Sequence, residues 1–271
     1  ARHAAVDLEV IVVDDASTDG TADAVRQRFP GIEVIAGSGA LFWCRGMHEG
    51  FGRALQREAD HYLWINDDTQ LVPDALSRLL AQQAALARLL GGPAIVVGAA
   101  AERETGKVSY GGRVAPSRLR PFNYRLVHSD HEAVPCEAIE GNCVLVPRAV
   151  ALRVGNFDPT FEHAMGDTDY GLRARAAGIR SFVAPGIVGH CSPNPLRGTY
   201  FAASLPLAVR WRHMRSRKGL PVRSWLHFCR RHGGPLWPAH FAWPYCKLLL
   251  SGLRAALLRR QAGQPSATKP I

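Results

Sequence analysis

LEVIVVDDASTDGTADAVRQRFPGIEVIAG, residues 8–37, decides the fold. Leu8 to Val13 is a short apolar run rich in β-branched residues, the pattern of a strand buried in a parallel sheet. It stops at Asp14-Asp15-Ala16-Ser17-Thr18-Asp19-Gly20-Thr21, a cluster of turn formers and helix-capping residues. Ala22 to Phe29 has helical composition and is closed by Pro30-Gly31, and Ile32 to Ile35 is a second strand. Strand, turn, helix and strand in this order define a parallel, doubly wound α/β sheet.

The rhythm continues outward. Gly37-Ser38-Gly39 is a Gly-rich loop leading into a helix over Met47–Ala59, and His61 to Ile65 is a third strand ending in Asn66-Asp67-Asp68-Thr69. A helix spans Pro73 to Leu90, with Pro73 placed for a first turn. Strands are expected at Ile95–Gly98, Ile139–Pro147 and Ile179–Ala184, and helices at Arg148–Val154 and Asp167–Ala177. Lys107 to Arg125, with Gly111-Gly112, Pro116 and Pro121, is a loop or hairpin excursion. Beyond Cys191 only helical pieces remain, at Leu205–Ser216, Val222–His232 and Tyr245–Arg260. The organisation expected is a catalytic domain over 1–195, a basic helical extension over 196–260 and a disordered tail over 261–271.

The 271 residues, 47% hydrophobic, are enough for one sizeable core with an appendage. Charge is divided along the chain. All 23 acids lie at or before Asp169, while the last 102 residues hold 17 Lys and Arg and no acid. That asymmetry points to an anionic partner surface. None of the six cysteines forms a Cys-x-x-Cys pair, which removes support for a zinc ribbon or a thioredoxin-type site and fits a reduced compartment. No secretory signal opens the chain, and no run of 18 apolar residues occurs. A cytoplasmic protein is expected, with the inner face of the plasma membrane as a candidate resting place.

Ligands of open α/β sheets bind outside the carboxyl ends of the strands. Two strand ends here carry paired acids, Asp14-Asp15 and Asp67-Asp68. Adjacent carboxylates without a cation in sequence reach repel one another, and a hard divalent ion on a pyrophosphate would relieve that. The plainer alternative is an acidic loop that caps the next helix. Asp14 or Asp15 could receive a pyrimidine N–H or a ribose hydroxyl, or Asp15, Ser17 and Asp19 could simply cap. Gly166-Asp167-Thr168-Asp169 opens an Arg-rich helix, as a general base would or as plain first-turn acid enrichment does. His190, after FVAPGIVG, is a possible metal ligand or an ordinary core histidine.

These blocks together resemble the family 2 inverting glycosyltransferases. The stretches that carry the resemblance are VIVVDDASTDGT (10–21), GSGALFWCRGMHEGF (37–51), YLWINDDTQLVPDAL (62–76), GNCVLVPRAVALRVGNFDP (141–159) and GDTDYGLRARAAGIRSFVAPGIVGH (166–190). They cover residues 8–191, and the last blocks are most similar to rhamnosyl- and galactofuranosyl-transferring members of surface-polysaccharide pathways. The resemblance implies a GT-A architecture, a doubly wound, mostly parallel sheet flanked by helices. It implies transfer of a sugar, with rhamnose as the leading donor sugar, from a nucleoside-diphosphate sugar to a glycan or lipid-linked acceptor. On it, Asp14, Asp15, Ser17, Gly39, Arg45, Gly46, Met47 and Asp67 face the donor, and Asp68 and His190 hold Mg²⁺ or Mn²⁺. Asp167 is the base, and Trp64, Asn142 and Asp169 lie toward the acceptor. Three departures stand out. Gly166 replaces the family's usual Glu before the base, Arg45 stands where the donor loop usually has a small residue, and the chain is expected to start after the family's first strand and helix. The competing classes are a sugar-phosphate nucleotidyltransferase, whose Gly-rich basic loop is missing here, and an inactive nucleotide-sugar-binding protein.

Leu205 to Arg260 interleaves Trp211, Trp225, Trp237 and Trp243 with Arg. Two readings stay open: a helical cap with a solvated basic face, and an interfacial surface that buries Trp and Leu while Arg meets anionic lipid. Nucleic acid is not expected as a partner, because the acceptors implied by the resemblance are lipid-linked.

Overall fold

The computed structural model describes residues 6–117, 120–194 and 199–261, and the expected tail lies outside these apart from Gln261, which closes the last helix. The chain divides into two compact units, Ala1–Asn194 and Pro195–Ile271.

The first unit is α/β. β1 (Ile11–Asp14) pairs in parallel with β2 (Glu33–Ala36) across α1 (Thr21–Arg28), as residues 8–37 predict. The main sheet contains β3 (His61–Ile65), β4 (Gln70–Leu71), β5 (Ile95–Ala101), β11 (Cys143–Pro147) and β12 (Ser181–His190) in the order β3-β11-β5-β12-β4. The two longest strands, β5 and β12, run parallel, and β3 points the same way across the reversed β11. β5 is buried at every residue because it is flanked on both edges and covered on both faces. On one face α3 (Ala75–Leu90) packs Ala75, Leu79 and Leu86 against Val96, Leu145, Phe182 and Val188. An aromatic cluster forms around Phe51 of α2 (Phe42–Leu55), with Tyr62, Trp64, Phe157 and Tyr170. The 107–139 excursion supplies β6 (Val108–Tyr110), β7 (Gly112–Val114), β8 (Arg125–Val127), β9 (Val134–Cys136) and β10 (Ala138–Ile139). β10, β7 and β8 form a small sheet, while β6 and β9 pair onto the main one. α4 (Arg148–Val154) and α5 (Gly166–Ala176) complete the unit.

Two boundaries differ from expectation for tertiary reasons. α2 begins at Phe42 and not at Met47, because the Asp15 carboxylate, 27 residues upstream, accepts the Phe42 N–H at 2.9 Å and caps the helix from outside. β12 runs on through Pro185-Gly186 to His190, past the expected end at Ala184. The ladder is irregular between Val183 and Ile187, and Arg78 supplies partners there, donating to Ile187 O (2.9 Å) and Pro185 O (2.6 Å).

The second unit is helical, with α6 (Leu207–Met214), α7 (Val222–His232) and α8 (Trp237–Gln261). α8 starts eight residues before the expected Tyr245 and carries Pro244 inside it. Proline in a helix interior removes a hydrogen bond and costs about 3 kcal/mol. Tertiary anchoring offsets part of this: Trp225 Nε1 donates to Phe241 O at 3.0 Å, and Tyr245 Oη donates to Leu220 O at 2.7 Å.

Candidate active site

The fold collects the quoted blocks at one end of the first unit. β1 ends in Asp14, β3 ends beside Asn66, β11 begins next to Asn142, α5 begins at Gly166, and β12 ends at His190. Because β11 is antiparallel to β3 with Cys143 opposite Ile65, the 140–142 loop lies directly against the acidic turn.

Hydrogen bonds then tie the blocks into a chain. Asp15 Oδ1 accepts Gly39 N–H at 2.7 Å and Oδ2 accepts Phe42 N–H. Gly39 meets this with φ +78°, a conformation that favours glycine. Slight burial raises the Asp15 pKa, but N–H groups of Phe42, Leu41, Gly39 and Ala40 prevail and hold it below the usual carboxylate value. Trp43 Nε1 donates to Asn66 Oδ1 at 2.7 Å. Asn66 N–H donates to Asn142 O at 3.2 Å, and Asn142 Nδ2 donates to Cys191 Sγ at 3.5 Å. Gly141 N–H donates to Asp167 Oδ2 at 3.0 Å. A Cβ at Gly141 would lie 2.2 Å from the Trp43 ring, so glycine is what lets loop and indole touch. Trp43 and Gly141 are thus central to the site, yet the sequence marks them only as parts of quoted blocks.

Asp167 sits in the first turn of α5 with both oxygens held, since Oδ1 also accepts Thr168 N–H at 2.7 Å. Burial pushes its carboxyl pKa up, and the N–H groups of Thr168 and Gly141 together with Arg113 only partly offset this. Beneath it, Glu140 receives Arg113 Nε at 2.8 Å and Gly111 N–H at 3.0 Å. Burial raises the pKa of Glu140 as well, against the nearby Arg113 charge, and the Asp167 charge adds to the rise. The 107–140 excursion therefore supplies an ion pair below the candidate base, which no spacing rule reveals.

Asp67 and Asp68 lie exposed in a tight turn closed by Thr69 N–H on Asn66 O at 3.1 Å. β4 pairs His190 with Gln70, which sets the turn beside the end of β12. There burial first, and the Asp68 carboxylate second, raise the Cys191 thiol pKa. His190 Nδ1 is buried with no hydrogen-bond partner. Among the described residues no three His, Cys, Asp or Glu side chains are gathered into a ready metal cage.

Two expectations need correcting. Trp64 is 3% exposed and packs on Phe157 (4.5 Å between centroids) and Tyr170 (4.7 Å), so it is core and cannot meet an acceptor. Asp169 is 0% exposed and spent on Arg173 Nε at 2.7 Å. Arg45 donates to Pro159 O (3.1 Å) and pairs with Glu162 (3.6 Å), which ties it to the 157–162 loop. Gly46 sits where a Cβ would lie 3.8 Å from Val13, a helix-packing position, and Met47 follows it on the same helix. Asn142 is 7% exposed and acts through its contacts with Asn66 and Cys191. Asp14 and Ser17 stay at the open end of β1, joined by a long Ser17 N–H to Asp14 Oδ2 contact of 3.4 Å.

Gly166, the departure before the base, has a steric cause. A Cβ there would fall 2.1 Å from Cys44 Sγ and 3.1 Å from Cys44 Cβ. Gly166→Ala is expected to destabilise by about 1–3 kcal/mol, the usual cost of overpacking. Cys44→Ala in the same chain should restore part of it, because it removes the clashing sulfur. Urea unfolding of the single and double variants reads the coupling.

The sequence of the first unit belongs to a sugar-transfer family. Residues 3–139 match the family described as glycosyl transferase family 2, half of the chain, and the chain belongs to that family. The particular proteins it is similar to include the N-acetylglucosaminyl-diphospho-decaprenol L-rhamnosyltransferase of Mycobacterium tuberculosis H37Rv. Identity to it is 26% over 205 residues, 66% of this chain and 64% of that protein, so the chain spans less than two thirds of the relative's length. Among solved structures, the mannosyltransferase PcManGT of Pyrobaculum calidifontis, in complex with GDP-Man and Mn²⁺, gives a TM-score of 0.49 at 19% identity, over 96% of this chain and 67% of that one. GalNAc-T7 with UDP, GalNAc and Mn²⁺ gives 0.48 at 12% identity, over 76% and 41%.

Proposed function

We propose that this chain transfers a sugar from a nucleoside-diphosphate sugar to a glycan or lipid-linked acceptor of a bacterial surface polysaccharide, with inversion at the anomeric carbon. The observation that carries the reading is the 140–142 loop. Through Gly141 it holds a half-buried carboxylate whose pKa is raised, and through Asn142 it holds the acidic turn. One short loop thus links a candidate base to a candidate diphosphate site.

Asp167 takes the proton from the acceptor hydroxyl as that oxygen bonds to the anomeric carbon. The bond from that carbon to the diphosphate oxygen breaks, and its electron pair leaves with the nucleoside diphosphate. One displacement inverts the centre and needs no covalent intermediate. Asp14 faces the nucleotide at the open end of β1, while Asp15 shapes the 37–42 loop and leaves donor contact to others. The donor set fits a hard divalent ion. Asp68 offers a carboxylate, and His190 has an orphaned ring nitrogen. Mg²⁺ and ions like it use one or two protein ligands and fill the rest with phosphate oxygens and water, so a preformed three-residue cage is not required. Bound there, Mg²⁺ or Mn²⁺ would neutralise charge on the departing diphosphate. The name of the mycobacterial relative supports rhamnose as the sugar, with thymidine-diphosphate-rhamnose the first donor to try, and supports a lipid-linked acceptor, whose anionic membrane would then be a second partner.

Calorimetry with a panel of nucleotide-sugars, in Mn²⁺ or in chelator, tests this. One donor should bind in a metal-dependent way, and Asp68→Ala should weaken it about ten-fold or more, the loss of at least one 1.4 kcal/mol interaction. Donor binding that ignores both the chelator and Asp68→Ala would remove the metal site from the reading.

A further inference from the structure

We propose that the outward face of α8 docks on an anionic lipid bilayer. The inference rests on the second unit alone and stands apart from the transfer reading.

One face of α8 is used internally. Phe241, Tyr245, Leu248 and Gly252 recur at helical spacing along it. Leu248 is 4% exposed, Tyr245 is bonded to Leu220 O, and a Cβ at Gly252 would lie 2.5 Å from Leu207. The other face should then be polar, and it is not. Trp243, Leu250 and Leu253 are 62%, 58% and 60% exposed, with Leu249 and Cys246 also exposed and Lys247 the one charge between Trp243 and Leu253. A contiguous exposed apolar stripe on a helix marks a contact surface.

Charge selects the occupant. From Pro195 onward the sequence holds 14 Lys and Arg and no Asp or Glu. Arg212, Arg215, Lys218, Arg223 and Arg230 are exposed on α6, α7 and the turn between them. A second copy would bring like charge against like charge, with no acid in this unit to receive it. Nucleic acid would take the Arg but gives a leucine stripe nothing to bury in, since its stacking partners are aromatic. An anionic bilayer satisfies both: headgroups meet Arg and Lys, the acyl boundary accepts Leu, and Trp suits the interface between them. Spanning is a different matter. Among the described residues no helix is long and apolar enough to cross a membrane.

The test is co-sedimentation of the 271-residue chain with vesicles of equimolar phosphatidylcholine and phosphatidylglycerol, and with phosphatidylcholine alone. The expected result is strong binding to the mixed vesicles, little to the neutral ones, and weakening with added salt. Trp243→Ser with Leu250→Ser, both at exposed positions, should lower binding about ten-fold or more while thermal unfolding is kept. Equal binding to both vesicles would overturn the charge argument without any variant being needed. Unchanged binding by the double variant would overturn the assignment to α8. Dimerisation of the parent that the variant abolishes, without vesicle binding, would give the face to a second copy. Retention of a homopolymeric RNA without vesicle binding would give it to nucleic acid.

Discussion

Replacing Asp167 with Asn is expected to lower the transfer rate by about a hundred- to ten-thousand-fold, the range a positioned general base contributes. Donor binding should change little, because the donor side is held by other residues. The fold should survive too. The amide keeps one oxygen for either Gly141 N–H or Thr168 N–H and loses the other bond, which is worth about 1 kcal/mol. The pH profile gives the sharper readout. A base works only when ionised, and burial raises the Asp167 pKa. The acidic limb of the rate should therefore fall above the usual carboxylate range and vanish in the variant. Stability moves the other way. A carboxyl whose pKa is higher folded than unfolded contributes stability below its unfolded pKa, and that contribution is lost as pH rises through the folded value. Asn at 167 should thus be tolerated better near neutrality than in acid. Nucleoside-diphosphate release, followed across pH for parent and variant, checks both limbs. An unchanged rate would take the base role from Asp167.

The largest stability effect is expected at Arg173. Its guanidinium donates to Asp169 Oδ2 (2.7 Å), Val154 O (2.7 Å) and Asn156 O (2.9 Å), and lies 5.1 Å from the Tyr170 ring centroid. It staples the first turns of α5 to the end of α4 and to the turn that follows. Arg173→Met leaves a carboxylate with 0% exposure without this ion partner and strips two carbonyls of a donor. Breaking a buried pair from one side costs about 3–5 kcal/mol. Adding Asp169→Asn removes the stranded charge and should recover part of the loss, whereas Arg173→Lys should recover less than full stability, since an ammonium cannot reproduce the three-way fork. Urea unfolding of the set separates charge from geometry. A loss below about 1 kcal/mol for Arg173→Met would mean that Asp169 finds water when its partner leaves.

The two predictions separate chemistry from architecture in one short helix. Asp167 and Asp169 lie two residues apart in one acidic motif, GDTD, and both looked available for function. The helix turns Asp169 into the protein, to 0% exposure, and holds Asp167 against the 140–142 loop. The resemblance misled similarly at β3, where period-2 alternation puts Trp64 on the buried side with Tyr62 and it feeds the aromatic cluster.

The sequence by itself determined the α/β class, because apolar runs and helical spacing record burial locally, residue by residue. It also determined the acidic strand ends and the acid-free final third, since charge is a property of composition. The tertiary structure alone decided which of those residues share a site. Asp15 caps a helix 27 residues away, Gly166 makes room for Cys44, Gly141 makes room for Trp43, and Arg113 pairs with Glu140 below Asp167. Each of these is a contact between segments distant in the chain. No local period or motif encodes such a contact, because its free energy exists only once both partners have been packed into place.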